Sequence, residues 1–458
     1  MTSTPGYSAP ATRQLIGFAI PVMLAALATP LMGLVDTAVL GRLGSPVALA
    51  AVAVGGSIFT VLYWCFSFLR FTTTGLVAQA AGQQSQHAVV LAGLRPMLAA
   101  LLGGLGLLLL QQPLLWLALR LLAPPAEVAT LTRDYFSARI WSAPFTLLSY
   151  AQFAWLLGLG KSRQVMVLQL LMNLLNALLA VLLVSVLGWG VAGAGWASAI
   201  AEAVGSVLAW RVMLRHVHWP QWWQALSRAG GRAAWRQLFA ANIDIMIRTL
   251  LLTVAFALMT RSGAQLGTLT LAANQLLLQA FMVCVSLLDG FAVAAEVHGA
   301  HAIGAQNRTG LRLVVRRCAW LSLGWSSLLA VGMALLGLVY LPWMTPERQL
   351  QQLAAHYWPW LVALPPVCIW AFFWDGVFMG AMRTAVLRNG MLLSFAVYLP
   401  ALQLLQPLLG NHGIWAALLL LMAMRGILLT LAWPRLRDSV GQPAAEPACA
   451  GGKVDGDS

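Results

Sequence analysis

The chain has 458 residues, of which 60% are hydrophobic and 9% charged, and its formal net charge is +14. This composition excludes a soluble globular protein, because such chains carry about 25% charged residues. The basic residues fall in short segments between long apolar runs, which is typical of cytoplasmic loops and argues against nucleic-acid binding. The sequence therefore indicates a polytopic membrane protein.

Apolar stretches recur along the whole chain, and a transmembrane helix needs about 20 such residues. A polar segment rich in Trp and Arg, residues 215–237, separates the first six stretches from the last six. This segment is typical of a helix at the lipid interface, or of an ordinary linker with aromatic anchors. The twelve predicted spans are 14–40, 47–80, 88–110, 131–157, 164–187, 191–214, 238–261, 267–300, 312–340, 352–381, 386–409 and 412–433.

The two sets of six spans show signs of a duplication. Six crossings return the chain to its starting side, so a repeat would be parallel. Gly82 and Gly304 are 222 residues apart, and the same offset joins further matching Gly, Gln, Tyr and Pro positions. We therefore predict an all-α fold of twelve transmembrane helices in two six-helix lobes related by a pseudo-two-fold axis. The predicted parts are lobes 1–214 and 238–434, a basic cytoplasmic linker 215–237 and a disordered cytoplasmic tail 435–458.

Lys and Arg residues are distributed unevenly between alternate loops. With the amino terminus in the cytoplasm, 18 of them lie on the cytoplasmic side and 5 on the other. The bias predicts that both termini are cytoplasmic. We expect a bacterial inner-membrane protein with this orientation.

Asp36 lies in the outward half of the first predicted span. Pro21 and Pro30 precede it and can bend the helix, which frees carbonyl groups that need partners in a cavity. A carboxylate at this depth is costly unless it faces a partner or water, and no basic residue lies one turn away. Asp36 is therefore the leading candidate for proton coupling, and the alternative is a structural carboxylate capped by hydroxyl groups.

Two amides share one face of the fifth span. Asn173 and Asn176 are three residues apart and Ala180 follows four later, so all three project in the same direction. Amides so placed can bind a substrate or a carboxylate in the first lobe. They can equally well join helices with no role in transport.

The other buried acids of the second half differ in their surroundings. Asp244 precedes Arg248 by four residues, the favourable order for a structural ion pair within one helix. Asp289 and Glu296 are seven residues apart and share a face, and Asp375 interrupts an aromatic span. These three acids could line a cavity of the second lobe.

Two further groups of polar residues are expected to be structural. Glu202 has Ser198 and Ser206 one turn away on either side, which favours a locally solvated structural carboxylate. His298 and His301 have a spacing that can bind metal but lack a third ligand. We expect no metal site.

Four separated segments resemble one family. They are residues 34–44 (LVDTAVLGRLG), 68–80 (FLRFTTTGLVAQA), 288–292 (LDGFA) and 374–381 (WDGVFMGA). They are similar to the multidrug and toxic compound extrusion (MATE) transporters, and most of all to the DinF (DNA-damage-inducible protein F) branch. The resemblance extends through the twelfth span.

The resemblance implies two six-helix lobes, alternating access and export of organic cations or other amphipathic compounds against an inflow of protons or sodium. It places the first-span acid of the family at Asp36 and the fifth-span amides at Asn173 and Asn176. Family members usually carry an acid where this chain has Ala180. Because sodium needs several oxygen ligands while one Asp can carry a proton, this departure favours proton coupling.

Two other classes of function were weighed. A flippase for lipid-linked sugars would share the architecture but is expected to have a more cationic cavity. A membrane-embedded prenyl transferase would need adjacent acids for a metal, and no predicted span contains such a pair. We therefore expect a transporter and not an enzyme, with lipophilic or cationic small molecules and membrane lipids as partners and no cofactor. The sequence sets no oligomeric state and is compatible with a monomer.

Overall fold

The computed structural model describes residues 8–41, 45–217, 219–228 and 230–441, except for the side chains of 29–41, 219, 228, 233, 234, 237 and 338. Within these residues the secondary structure is helical, with no strand. The first half contains α1 (Thr12–Gly41), α2 (Pro46–Trp64), α3 (Phe68–Gly82), α4 (Gln86–Leu109), α5 (Gln111–Leu122), α6 (Ala126–Arg139), α7 (Ala143–Gly158), α8 (Ser162–Ala180) and α9 (Gly190–Leu214). Then follow α10 (Trp219–Arg228), α11 (Arg232–Gln265), α12 (Thr268–Gly304), α13 (Arg308–Met344), α14 (Arg348–Gly380), α15 (Thr384–Leu409) and α16 (Asn411–Ser439).

Ten helical segments of the described residues are long and apolar enough to cross a membrane. Two of the twelve predicted spans are not among them. The span at 14–40 corresponds to α1, whose described apolar part is Thr12–Ala28. The span at 131–157 is divided by a 3₁₀ turn, Ile140–Ser142, which separates α6 from α7. The prediction of an all-helical, membrane-spanning protein is confirmed.

The helix boundaries repeat at the offset that the sequence suggested. Helices α2 and α3 together cover 46–82, and α12 covers 268–304, which is the same interval shifted by 222 residues. The stretch 126–158, from α6 to α7, corresponds in the same way to α14 at 348–380. The corresponding loops also match, since Gln84 and Gln306 both have left-handed backbones with φ of 55° and 52°. The two halves are therefore copies of one helical plan.

The halves meet where α3 crosses α12. A Cβ atom on Gly82 would collide with the backbone carbonyl of His301, and one on Gly304 would collide with that of Gln79. These two contacts exchange under the 222-residue offset, so the crossing lies on the pseudo-two-fold axis. The absence of side chains at both glycines allows the two backbones to touch.

Two equivalent hydrogen bonds connect the halves beside this crossing. The Gln79 amide donates to the carbonyl of Gly380 at 2.7 Å, and His301 Nε2 lies 2.8 Å from the carbonyl of Gly158. The donors are 222 residues apart, and so are the acceptors. We call this pair of bonds the interlobe latch.

The first half is less regular than the second. Turns interrupt its helices at Cys65–Ser67, at Leu110 and at Ile140–Ser142, and α8 continues into a π-helix at Val181–Val186. At the corresponding positions of the second half, α12, α13, α14 and α15 run on as α-helix. Tight or wide turns within helices are common at functional sites.

The segment between the halves contains α10, which packs against α4. Its Trp222 is buried between the rings of Trp155 and Trp210, with ring centroids 5.7 Å and 5.2 Å away, while Trp223 is exposed. This arrangement agrees with the predicted amphipathic surface segment. Helix α11 begins at Arg232, inside the stretch predicted as linker.

The start of the predicted disordered tail is helical instead. Helix α16 continues to Ser439, and Asp438 forms ion pairs with Arg308 and with Arg437, the latter at 2.8 Å. Leu436 and Val440 belong to the hydrophobic core. The apolar contacts and the ion pairs explain why the helix extends past residue 434. The remainder of the predicted tail, residues 442–458, lies outside the described residues.

Candidate functional site

A cavity of about 560 Å³ lies between the helices of the first half and the middle of α12. Its volume is in the range of sites for organic ligands. Much of the wall is apolar or aromatic, and charged groups of both signs interrupt it. The aromatic and sulfur-containing lining residues are Phe59, Tyr63, Trp64, Tyr150, Phe153 and Met172, and the charged ones are Arg70, Arg139, Glu202 and Asp289.

The irregular turns of the first half border this cavity. The Tyr63 hydroxyl, at the end of α2, lies 2.7 Å from the Ser142 hydroxyl, in the turn between α6 and α7. Residues of the cavity wall flank both turns, with Trp64 and Arg70 around the first and Arg139 around the second. Non-helical backbone within a membrane is tolerated where it is buried in protein or lines a water-filled space. The turns and the cavity thus belong to one site.

The two acids of the cavity come from different halves of the molecule. Glu202 lies on α9, and Asp289 lies on α12 of the second half. Both are partly exposed, and neither forms an ion pair with another described side chain. Carboxylates so placed can bind a proton or a cationic group. The sequence suggested a structural role for Glu202, whereas the structure places it in the cavity wall.

The two arginines were not singled out by sequence reasoning, although each lies within a span. The guanidinium of Arg139 donates to the hydroxyl of Tyr135 and lies 5.1 Å from the ring centroid of Phe59. Arg70 lies 5.7 Å from the ring centroid of Phe71. An arginine within an apolar stretch is itself a functional signal, because its charge is costly at that depth.

The predicted residues of the first lobe are placed as follows. Asp36 is part of α1, but its side chain lies outside the described residues. Asn173 lines the cavity, and its Nδ2 has no hydrogen-bond partner among the described residues. Asn176 donates to the Ser198 hydroxyl on α9 at 3.0 Å, and Ala180 is buried. Of the two amides, Asn173 faces the cavity and Asn176 joins α8 to α9.

The three acids predicted for a second-lobe cavity lie in different environments. Asp289 faces the cavity described above. Asp375 is buried and forms ion pairs with Arg248 and with Arg425, the latter at 2.5 Å. Glu296 is buried too, and its Oε1 has no hydrogen-bond partner among the described residues. The structure therefore does not bring the three acids together in one site.

The predicted ion pair between Asp244 and Arg248 is not the one that the structure forms. Asp244 accepts hydrogen bonds from Arg388 at 2.6 Å and from Thr384 at 2.9 Å, both on α15, while Arg248 pairs with Asp375 on α14. A pair four residues apart on a helix contributes only about 0.2–0.5 kcal/mol. Partners on neighbouring helices displace it, because they also satisfy charges that the fold buries.

The helical lobes and the cavity between them define a transporter of the polytopic membrane class. Residues 21–182 and 245–402 match the family model described as MatE. The chain belongs to this family, the MATE transporters. The two-lobe fold predicted from the sequence is confirmed.

Individual relatives agree with this assignment. The chain is 38% identical to the DNA damage-inducible protein F of Escherichia coli K12 over 91% of each chain. It is 26% identical to a probable multidrug resistance protein NorM of Chromobacterium violaceum, over 91% of this chain and 92% of the other.

Solved structures share the fold at lower identity. The Vibrio cholerae MATE transporter VcmN in its bent form is 22% identical, with a TM-score of 0.82 over 93% of this chain and 97% of the other. A MATE protein in a straight conformation gives a TM-score of 0.83 at 16% identity, over 93% and 96% of the two chains. These likenesses establish the architecture.

Proposed function

We propose that this protein is a secondary active antiporter of the bacterial inner membrane. It exports amphipathic or cationic organic compounds in exchange for protons, by alternating access. The observation that carries the proposal is the 560 Å³ cavity, which combines aromatic walls with the carboxylates of Glu202 and Asp289. The relative from Chromobacterium violaceum, described as a probable multidrug resistance protein, supports export of toxic compounds.

The cavity walls suit amphipathic cations. Phe59, Trp64 and Phe153 offer apolar faces, and aromatic rings attract cations by about 0.5–2 kcal/mol each. Glu202 and Asp289 can pair with the charge itself. Such a wall binds molecules of many shapes, because it depends on few directional contacts.

Protons are the ion that this arrangement favours. A carboxylate that exchanges a proton for a cationic substrate couples the two flows directly, since the acid cannot bind both at once. Glu202 and Asp289 have the required access, and Asp36 remains the leading coupling residue from the sequence. Asp375 is held by Arg248 and Arg425, so a cation would meet two positive charges there. Coupling is therefore proposed in the first lobe and not at Asp375.

Transport into proteoliposomes tests the proposal. The purified protein is reconstituted, and uptake of a lipophilic cationic dye is followed after imposing a proton gradient, a sodium gradient or neither. We expect uptake that responds to the proton gradient and disappears with an uncoupler. Uptake driven by sodium alone would replace the coupling ion, and no gradient-dependent uptake over a panel of dyes, bile salts and biocides would contradict the proposed function.

A further inference from the structure

The cavity contains one positive charge that the protein does not bind tightly. Arg70 is the third residue of α3, directly after the turn at Cys65–Ser67, and it is exposed in the cavity wall. Its guanidinium contacts the ring of Phe71 and forms no ion pair with a described side chain. Its N–H donors are thus available to a ligand.

The other arginines of the membrane interior are held differently. Arg139 donates to the Tyr135 hydroxyl and lies over the Phe59 ring. Arg248 and Arg425 both bind Asp375. Each of these three guanidinium groups has a polar partner within the protein. Among them and Arg70, it is Arg70 whose contacts leave it open to the cavity.

An open guanidinium within a membrane protein is costly unless it has water or an anion beside it. Its planar set of donors matches a carboxylate, which it can bind through two parallel hydrogen bonds. Asp289, also in the cavity wall, interacts electrostatically with Arg70 without forming an ion pair. The cavity therefore offers separate positive and negative positions to one molecule, with aromatic surface between them.

We propose that Arg70 is an anion-recognition residue, and that the transported compounds include zwitterionic amphiphiles carrying a carboxylate. The carboxylate binds Arg70, the apolar body lies on Phe59, Trp64 and Phe153, and the cationic group faces Asp289 or Glu202. Proton exchange then acts on the cationic group alone, because Arg70 keeps its charge at every physiological pH. This inference rests on the proposed function and specifies its substrates.

A matched pair of dyes tests the role of Arg70. A carboxyl-bearing rhodamine is a zwitterion, and its methyl ester has the same cationic rings without the carboxylate. Binding of each dye to the purified protein is measured by fluorescence for the wild type, Arg70→Gln and Arg70→Lys. We expect Arg70→Gln to weaken binding of the carboxyl dye roughly 10- to 100-fold, the effect of a lost charge-assisted hydrogen bond, and to leave the ester within about two-fold. Arg70→Lys should restore part of the difference.

Arg120→Gln is the matched control, because Arg120 lies over the Trp116 ring in a separate pocket. It should change binding of neither dye. Equal losses for both dyes in Arg70→Gln, or no loss for either, would overturn the inference. Wild-type binding of the ester alone would overturn it too, while the proposed export of cations would stand. Wild-type binding of neither dye, together with no gradient-driven uptake, would remove the proposed function as well.

Discussion

At the scale of single residues, the membrane-embedded charges fall into two groups. Asp375 is neutralised inside the protein by Arg248 and Arg425, and its side chain is 7% exposed. Glu202 and Asp289 face the cavity without an ion pair among the described side chains. A charge fixed by buried partners stabilises structure, whereas an accessible one can exchange ligands. The two groups should respond differently to substitution.

Asp375→Asn should mainly reduce stability. It would leave Arg248 and Arg425 buried beside each other without a counter-charge, which costs about 3–5 kcal/mol. Asp244→Asn is the matched comparison, because its partner Arg388 is 33% exposed and water can replace part of the interaction. Thermal unfolding in detergent should show a much larger decrease in Tm for Asp375→Asn. Equal melting temperatures of Asp375→Asn and the wild type would contradict a structural role.

Asp36→Asn should abolish proton-driven export while the protein stays folded. The amide imitates the protonated carboxyl but can no longer release a proton, so substrate binding is expected to persist with a flattened pH dependence. Dye uptake into proteoliposomes measures the loss, and size-exclusion chromatography checks the fold. Asp289→Asn belongs in the same assay, since Asp289 lies in the cavity wall. Retained export in Asp36→Asn together with its loss in Asp289→Asn would move the coupling site to α12.

At the scale of helices, the crossing of α3 and α12 joins the two halves. The latch bonds of Gln79 and His301 lie beside it, and Gly82 and Gly304 allow the backbones to touch. Alternating access requires the two lobes to move relative to each other, so these contacts must yield on one side of the membrane. The crossing is therefore the element at which packing and transport meet.

Gly304→Ala should separate these helices. The new Cβ would collide with the backbone of Gln79, which cannot rotate away as a flexible side chain could, and overpacking of this kind costs about 1–3 kcal/mol. Gly324→Ala on α13 is the control, because nothing lies within 4 Å of its Cβ position, and it should be neutral or raise Tm. Unfolding of the two variants in detergent checks the difference. A Gly304→Ala protein as stable as Gly324→Ala would show that the crossing tolerates separation.

At the scale of the whole molecule, the two halves share a helical plan but differ in regularity. Turns interrupt the helices of the first half around the cavity, while α12, α13 and α14 continue through the corresponding positions. Duplication accounts for the common plan. Local deviations in one copy create space and flexibility there, while the other copy packs as longer rods. The structural asymmetry agrees with a transport site centred in the first lobe.

The orientation in the membrane is tested with introduced cysteines. Both Gln224, on α10, and Gln349, at the start of α14, are exposed. In a background without the five native cysteines, a membrane-impermeant thiol reagent applied to intact cells should label Gln349→Cys and not Gln224→Cys. The excess of basic residues in the loops on the α10 side is the physical reason. The reverse pattern would place the termini outside.

The sequence by itself determined the class of protein and its repeated helical plan. Long apolar runs have one stable form in a bilayer, because every backbone polar group must be bonded internally, and glycines such as Gly82 and Gly304 marked the repeat. The motifs around Asp36 and Asp375 indicated the MATE family. Such features depend on local composition and spacing, which are legible without the fold.

Tertiary structure decided which charges meet. Asp375 and Arg425 are 50 residues apart and Arg248 and Asp375 are 127 apart, so no local pattern predicted their cluster. The choice between the structural and the cavity role of Glu202 depended in the same way on which helices surround α9. Spacing along one helix shows which residues share a face, but the identity of the neighbour on that face follows from how all the helices pack.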